Sequence, residues 1–400
     1  IKMRRAAIVS PVRSAVGIFG GSLRSVPVEQ MSAAVIGAIL ERTGIPPKKI
    51  EEVIFAQSYA SGETPCVGRW AALEAGLPIE TAGMQIDRRC GGGLQSVITA
   101  AMMVQTGATD VVIAGGVESM SNVEYYTNDM RWGKRAGSVK MHDRLDRGRE
   151  RSQPVERFGE ISGMIETAEN LATEYKISRE EADEYAMRSQ KRAAAAWENH
   201  VFADEVIPIS VPQRRGDDLV FDKDEGVRPD VSMDKLGKLR TIMKDGTVTA
   251  GNASQQNDAA AACLVVAEEL LADLKLDPIG YLSGWSAVGC HPATMGIGPV
   301  GAVKKLFAKS DLSLDDMDLV EINEAFSCQV LACLKGLEWN DPDRLNVNGS
   351  GISLGHPIGA TGVRIMTSLL HELKRRNGKY GLETMCVGGG QGVAALFEAA

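Results

Sequence analysis

Four hundred residues, 44% hydrophobic and 24% charged, describe an ordinary globular chain with length for roughly two or three domains and a full-sized core. A formal net charge of −8 argues against broad nucleic-acid binding, and no apolar run is long enough to cross a membrane. Seven cysteines without a CxxC pair suggest neither a disulfide framework nor a zinc site, so no metal is expected; free thiols and the lack of a signal-peptide pattern before Ala6 point to a reducing, cytoplasmic location.

In chain order, residues 5–9 read as a strand followed by a Ser-Pro turn and a Gly-rich loop. Residues 28–43 read as a helix stopped by Gly44 and Pro46-Pro47. Val53 to Ala56 is a short, wholly apolar strand of the kind covered on both faces. A helix near 67–75 and the stretch Met84-Gln85-Ile86 lead to Cys90 and a helix reaching about Thr106. Asp110 to Ala114 is a buried strand expected to end in a Gly115-Gly116 turn. Strands alternating with helices predict an α/β domain with a mostly parallel sheet.

From Ser121 to about Val248 the chain turns polar. A basic stretch runs from Arg131 to Arg151, read mainly as a solvated or subunit-contacting surface, with attraction for a phosphate-bearing ligand as the other reading. Helices near 162–175 and 178–199 follow, the second opening on a Ser178/Glu181 capping box. Strand character resumes at Thr247 to Ala250, before the polar loop 251–258 and an Ala-rich apolar segment, 259–267. The last third then repeats the first in pattern. Leu319 to Asn323 corresponds to Val53 to Gln57, a glycine-rich loop around His356 precedes a helix to about Arg376, and Thr384 to Val387 ends in Gly388-Gly389-Gly390. Two such halves would bring their strand-end loops to one cleft.

Four features carry chemistry. Cys90, in Asp87-Arg88-Arg89-Cys90-Gly91-Gly92-Gly93, stands at or just before a helix N-terminus. Free N–H groups and the helix dipole there favour a thiolate, and flanking arginines add positive charge. Taken alone, the run also reads as a buried cysteine beside a Gly-rich turn. Asn323 follows a strand, where it also suits an N-cap. His356 is wrapped in glycines, and Cys386 ends a strand before three more. The glycine runs lack the G-x-G-x-x-G spacing and a Walker lysine, so a nucleotide site is a weak reading.

Together these stretches resemble a thiolase, an acyl-CoA C-acyltransferase, over nearly the full length. Those that carry the resemblance are the Cys90 loop, Gly115 to Met120, Gly251 to Asp258, Met295 to Pro299, Asn323 to Phe326, Gly355 to Gly362 and Cys386 to Gly392. The resemblance implies a five-layered αβαβα fold of two similar halves with an inserted loop domain. Its expected bounds are 1–120 with 248–274 for the N-terminal half, 121–247 for a loop domain serving CoA binding and tetramer contacts, and 275–400 for the C-terminal half. It implies interconversion of 3-ketoacyl-CoA plus CoA with acyl-CoA plus acetyl-CoA, in acetyl-CoA acetyltransferase or broader 3-ketoacyl-CoA thiolase form, within fatty acid metabolism. Cys90 would be the nucleophile, His356 its base, and Cys386 the acid/base for the α-carbon. His356 and a water held by Asn323 would form one oxyanion hole, and the Cys90 and Gly388 N–H groups the other. Arg228, Ala250 and Ser254 would meet CoA, which is a substrate; no permanently bound cofactor is expected. A homo-oligomer, dimer or tetramer, is expected, with Arg131-Trp132-Gly133 in the assembly region.

The sequence departs from the family pattern at Asp87 to Gly93, at Ser254 to Ala259, and at Gly163-Met164, where relatives often carry a ring before the methionine. A ring-less residue 163 suggests room for a longer or branched acyl chain. The alternatives are a ketoacyl-synthase-like condensing enzyme and a non-catalytic CoA- or lipid-binding scaffold. Condensing enzymes carry a second histidine or an asparagine where this chain has Cys386.

Overall fold

The protein, seen here as a computed structural model that describes residues 4–400, is built on one long mixed sheet. Its strands run in the order Leu319–Ile322, Tyr380–Val387, Gln391–Ala399, Gly280–Gly289, Ala6–Ser14, Asn257–Ala267, Val111–Ser119, Glu52–Ala56, Ala82–Ile86. A seam in the middle pairs Ala7 with Tyr281 and Ile8 with Gly280. Outward from that seam the first four strands of each half correspond, so Val111–Ser119 answers Tyr380–Val387 and Glu52–Ala56 answers Leu319–Ile322, and the N half adds Ala82–Ile86 at its edge.

Alternation along each strand sorts the side chains into layers. On Asn257–Ala267, Ala260, Ala262, Leu264 and Val266 face the outer helices Val28–Thr43 and Val67–Glu74. Ala261, Cys263 and Val265 face inward, against the helices Gly92–Thr106 and Ile358–Arg376. The C half is covered on its other side by Gly298–Phe307 and Ser327–Leu337. Helix, sheet, helix, sheet, helix is the five-layered arrangement expected.

The two central helices cross at glycines. A Cβ on Gly362 would lie 2.8 Å from Leu94 Cα, and one on Gly93 would lie 2.9 Å from the Gly359 carbonyl oxygen. Any larger residue there would hold the backbones apart.

Several expectations are corrected. The sheet is mixed, not mostly parallel: only the outer strands of each half pair parallel, and the inner ones pair antiparallel. The first strand runs on through Ser10-Pro11 to Ser14, with a bulge between Val9 and Val12 that spares Pro11 a ladder hydrogen bond. Gly115 and Gly116 are inside a strand, not at its end. A Cβ on Gly116 would be 2.7 Å from the Gly359 carbonyl carbon, so the glycine admits the opposite half's helix. Thr247 to Ala250 forms no strand. The alanine run Asn257–Ala267 does, because a central strand covered on both faces favours small side chains over helix propensity. The helix Ser327–Leu337 and the strand Gln391–Ala399 went unread in the sequence.

Between the paired N-half strands Val111–Ser119 and Asn257–Ala267, residues 120–256 carry the helices Met164–Glu174 and Arg179–Glu198, the latter with the expected capping box at Ser178. A buried ion cluster ties this stretch down: Arg13 Nε donates to Glu205 Oε1 at 2.7 Å and Nη1 to Asp224 Oδ1 at 2.8 Å.

Candidate active site

Cys90 lies in a tight turn, Arg89–Gly91, directly ahead of the helix Gly92–Thr106. Arg89 has φ +47°, a left-handed conformation that costs a non-glycine residue of order 1–3 kcal/mol. The strain is held by Asp87, whose Oδ1 accepts the Arg89 N–H at 2.6 Å, and by Arg89 Nη2 donating to the Gly148 carbonyl at 3.1 Å. The turn lifts the half-buried Cys90 sulfur towards the C half. There the N–H of Gly388, and that of Cys90 itself, point at the sulfur. Burial pushes the thiol up from its ordinary value, while these N–H groups and Arg89 pull it down.

Gly388 follows the strand Tyr380–Val387, which carries Cys386. The two sequence-distant cysteines are thus brought to one backbone turn. Cys386 is fully buried among Met295, Ala325, Phe326 and Cys328. Burial, then the neighbouring sulfurs of Cys90, Cys333 and Cys290, hold its thiol well above the ordinary range. It therefore stays a protonated thiol at neutral pH.

His356 opens the loop before the helix Ile358–Arg376 and is 6% exposed. Its N–H donates to Asn257 Oδ1 at 2.8 Å, and its Nδ1 lies 2.7 Å from the Thr361 hydroxyl. With Nδ1 protonated towards Thr361, Nε2 keeps its lone pair for proton transfer. Burial, with Arg364 nearby, drives the imidazole down to about 3, so it is neutral at physiological pH. Asn323 is fully buried at the end of Leu319–Ile322, and its Nδ2 lies 3.5 Å from His356 Nδ1. Its Oδ1 meets no partner among the described residues, an acceptor of the kind that holds a water or a substrate N–H. The next residue, Glu324, is an anchor: it accepts Ser189 Oγ at 2.6 Å, Tyr185 Oη at 3.0 Å and the Ile352 N–H at 3.2 Å.

Of the expected CoA contacts, Arg228 and Ala250 line one cavity of about 180 Å³ with Gln190, Lys235 and Leu236. Ser254 stands outside that lining, and its N–H donates to the Ala325 carbonyl at 2.8 Å. Gly163 has φ +144°, a backbone that favours glycine whatever space surrounds it. Among the described residues no cluster suits a metal, and no helix is long and apolar enough to cross a membrane.

Sequence reasoning missed Asn257, Thr361 and Glu118 as individual residues, although each lies in a stretch it singled out. The signal available was polarity inside otherwise apolar surroundings, clearest for Glu118 in Val111–Ser119.

Comparison with known proteins agrees along the whole chain. It is 45% identical over 393 residues to the acetyl-CoA acetyltransferase of Chromobacterium violaceum, covering 98% of this chain and 99% of that one. The corresponding enzyme of Pseudomonas aeruginosa is 43% identical over 393 residues, with 98% of each chain covered. The crystal structure of Bacillus anthracis acetyl-CoA acetyltransferase superposes with a TM-score of 0.95 at 43% identity, covering all of both chains. Human mitochondrial 3-ketoacyl-CoA thiolase in complex with CoA gives 0.93 at 38% identity, covering 99% of this chain and 98% of that one. The family described as thiolase, N-terminal domain, matches residues 6–269, and thiolase, C-terminal domain, matches residues 276–399. A sheet of two like halves, two cysteines and a histidine at their junction, and family matches across both halves lead to one conclusion: the chain belongs to the thiolase family.

Proposed function

We propose that the chain is an acyl-CoA C-acyltransferase that interconverts 3-ketoacyl-CoA and CoA with acyl-CoA and acetyl-CoA through an acyl-Cys90 thioester. The observation that carries this reading is the single turn at which the Gly388 N–H reaches the Cys90 sulfur, with Cys386 two residues behind it.

In the cleavage direction, His356 Nε2 takes the Cys90 proton and the thiolate attacks the 3-keto carbon. Charge on the resulting alkoxide calls for fixed donors, and the Cys90 and Gly388 N–H groups suit that task. The bond between the 2- and 3-carbons then breaks, leaving the acyl group on Cys90 and the electron pair on the acetyl-CoA enolate. Cys386 gives that carbon its proton, and acetyl-CoA leaves. Incoming CoA returns a proton to Cys386 and attacks the thioester; the departing Cys90 sulfur takes back the proton held by His356. A thiol suits the carrier role because thioester exchange runs both ways with little change in bond energy. Asn323 would serve the enolate oxygen beside His356.

The cavity at Arg228 and Ala250, with Lys235 on its rim, supports binding of CoA there, and Ser254 would act from the adjoining loop. We read the chain as two thiolase halves, 1–120 with 248–274 and 275–400, carrying a loop domain over 121–247. Trp132, 93% exposed between Arg131 and Gly133, supports a homo-oligomer, dimer or tetramer, and a cytoplasmic role in fatty acid metabolism fits the free thiols.

CoA-dependent cleavage across 3-ketoacyl-CoAs of increasing length tests the reading. Acetyl-CoA should appear with at least one of them, and the length profile separates an acetoacetyl-CoA enzyme from a broader one. Failure to cleave any member would favour a carrier-linked condensing enzyme.

A further inference from the structure

Glu118 is a fully buried carboxylate to which the mechanism above gives no task. Its hydrogen-bond partners are all backbone N–H groups. Oε2 accepts from Ser58 and from Gly359, each at 3.0 Å, and Oε1 accepts from Tyr59 at 3.2 Å. Burying a carboxylate without a countercharge is expensive, so the site has to return something.

The three donors come from both halves. Ser58 and Tyr59 follow the N-half strand Glu52–Ala56, and Gly359 stands in the first turn of the C-half helix Ile358–Arg376. First-turn N–H groups lack partners within a helix, and this helix is preceded by Pro357, which makes no side-chain cap. Glu118 therefore caps it from the opposite half, where a negative charge also meets the positive end of the dipole. The seat is tight, since a Cβ on Gly359 would lie 2.5 Å from the Val117 carbonyl oxygen and 2.8 Å from that of Ala56. His356 stands three residues ahead of the clamped N–H.

We propose that Glu118 is a positioning residue: by holding Gly359 against the N-half strand ends, it sets His356, carried by the C half, in register with Cys90, carried by the N half. The proposal rests on the reading of Cys90 as nucleophile and His356 as its base.

Burial pushes the Glu118 carboxyl up to about 7 against the pull of its three N–H partners, and Asp87 adds to the push. Among other charged or titratable groups, the Tyr59 phenol faces it from the loop it clamps. The neighbouring strand presents Ala259 opposite it and then Asp258, whose carboxylate is bonded to Ser121. His356, driven down to about 3, stays neutral across this range. Ionisation strengthens all three bonds at once, because a charged oxygen accepts more strongly than a neutral one. The folded value lies above the ordinary 4.5, so the group's contribution to stability is full below 4.5 and is lost as pH rises through about 7. The clamp itself strengthens over the same rise, so activity should climb while that part of stability falls.

Glu118→Gln keeps the shape but turns an NH2 towards an N–H. Per Cys90 site counted by iodoacetamide labelling, kcat should fall roughly tenfold or more, as expected for a base displaced by a fraction of an ångström. KM for CoA should stay near the wild-type value, and the acid limb of kcat near pH 7 should disappear. A variant that keeps wild-type kcat per labelled site, or that keeps the acid limb, overturns the proposal. Should that variant not fold, Glu118→Asp decides: it keeps the charge but is one methylene too short to hold both Gly359 and the Ser58–Tyr59 turn, so kcat per labelled site should fall with KM for CoA unchanged, and wild-type kcat in it overturns the proposal. A wild-type chain that cleaves no 3-ketoacyl-CoA fails earlier, and on the underlying reading.

Discussion

The Cys90 loop and the His356 loop occupy equivalent places in the two halves. Each leads into one of the central helices, and those helices meet at Gly93 and Gly362. Yet they are held in opposite ways. Cys90 is only partly buried, on a strained turn fixed chiefly by its near neighbour Asp87. His356 is buried and fixed largely from the other half, through Asn257 and Glu118. A nucleophile that must meet an incoming thioester gains from projecting outward. A base that must meet the nucleophile at one angle gains from being gripped by the half that carries the nucleophile.

The comparison is broken most completely at the nucleophile. Cys90→Ala removes the only group read as the covalent carrier and leaves the His356 grip intact. CoA-dependent cleavage should fall by about 10⁴-fold or more. Retention of even a few per cent of turnover would place the acyl group elsewhere.

Cys386→Ala comes next. Cys90 should still take an acyl group, visible as a mass increment on its peptide, while carbon–carbon bond formation falls by roughly 10²–10⁴-fold. Full condensation activity in this variant would remove Cys386 from the acid/base role.

The shared geometry of the halves is tested at the crossing. Gly362→Ala sets a methyl within 2.8 Å of Leu94 Cα, against backbone that no rotamer change can move. Overpacking of this kind costs about 1–3 kcal/mol, read as a lower melting temperature. The central helices would also spread, so activity should fall further than the unfolded fraction accounts for. An unchanged melting temperature would mean that the crossing is looser than described.

The motifs were legible because they combine rare residues with glycine. Cys90 and His356 stand in loops whose glycines let the backbone come very close to the opposite half, and Cys386 stands near a strand end ahead of three more glycines. The two like halves were legible through the repeated order of loop, helix and strand, and the five layers through the family resemblance. What the sequence hid was direction and pairing. Asn257–Ala267 is an alanine run whose strand state depends on two neighbouring strands, Ala6–Ser14 and Val111–Ser119, that lie far away in sequence. Gly115 and Gly116 read as a turn because nothing local reveals the helix pressing on them. Glu118 and Thr361 were hidden for a related reason: their partners are a backbone N–H and a ring nitrogen that only the folded chain supplies.

The finest test concerns the grip on His356 from within its own loop. The Thr361 hydroxyl, buried at the first turn of Ile358–Arg376, is 2.7 Å from Nδ1. It is the nearest polar partner of the ring and orients it; with Nδ1–H donated to it, Nε2 is left free for the base role proposed, while Asn257 and Glu118 fix only the backbone around the ring. Thr361→Val keeps the shape and removes the hydroxyl. The imidazole should then divide between tautomers and rotate, lowering kcat roughly tenfold, about 1.4 kcal/mol of barrier, with KM for CoA unchanged. Thr361→Ser restores the oxygen and should restore the rate. If the valine variant matched wild type, the ring would owe its orientation to Asn323, 3.5 Å away, and the two halves would differ less in how they hold their catalytic groups than the comparison claims.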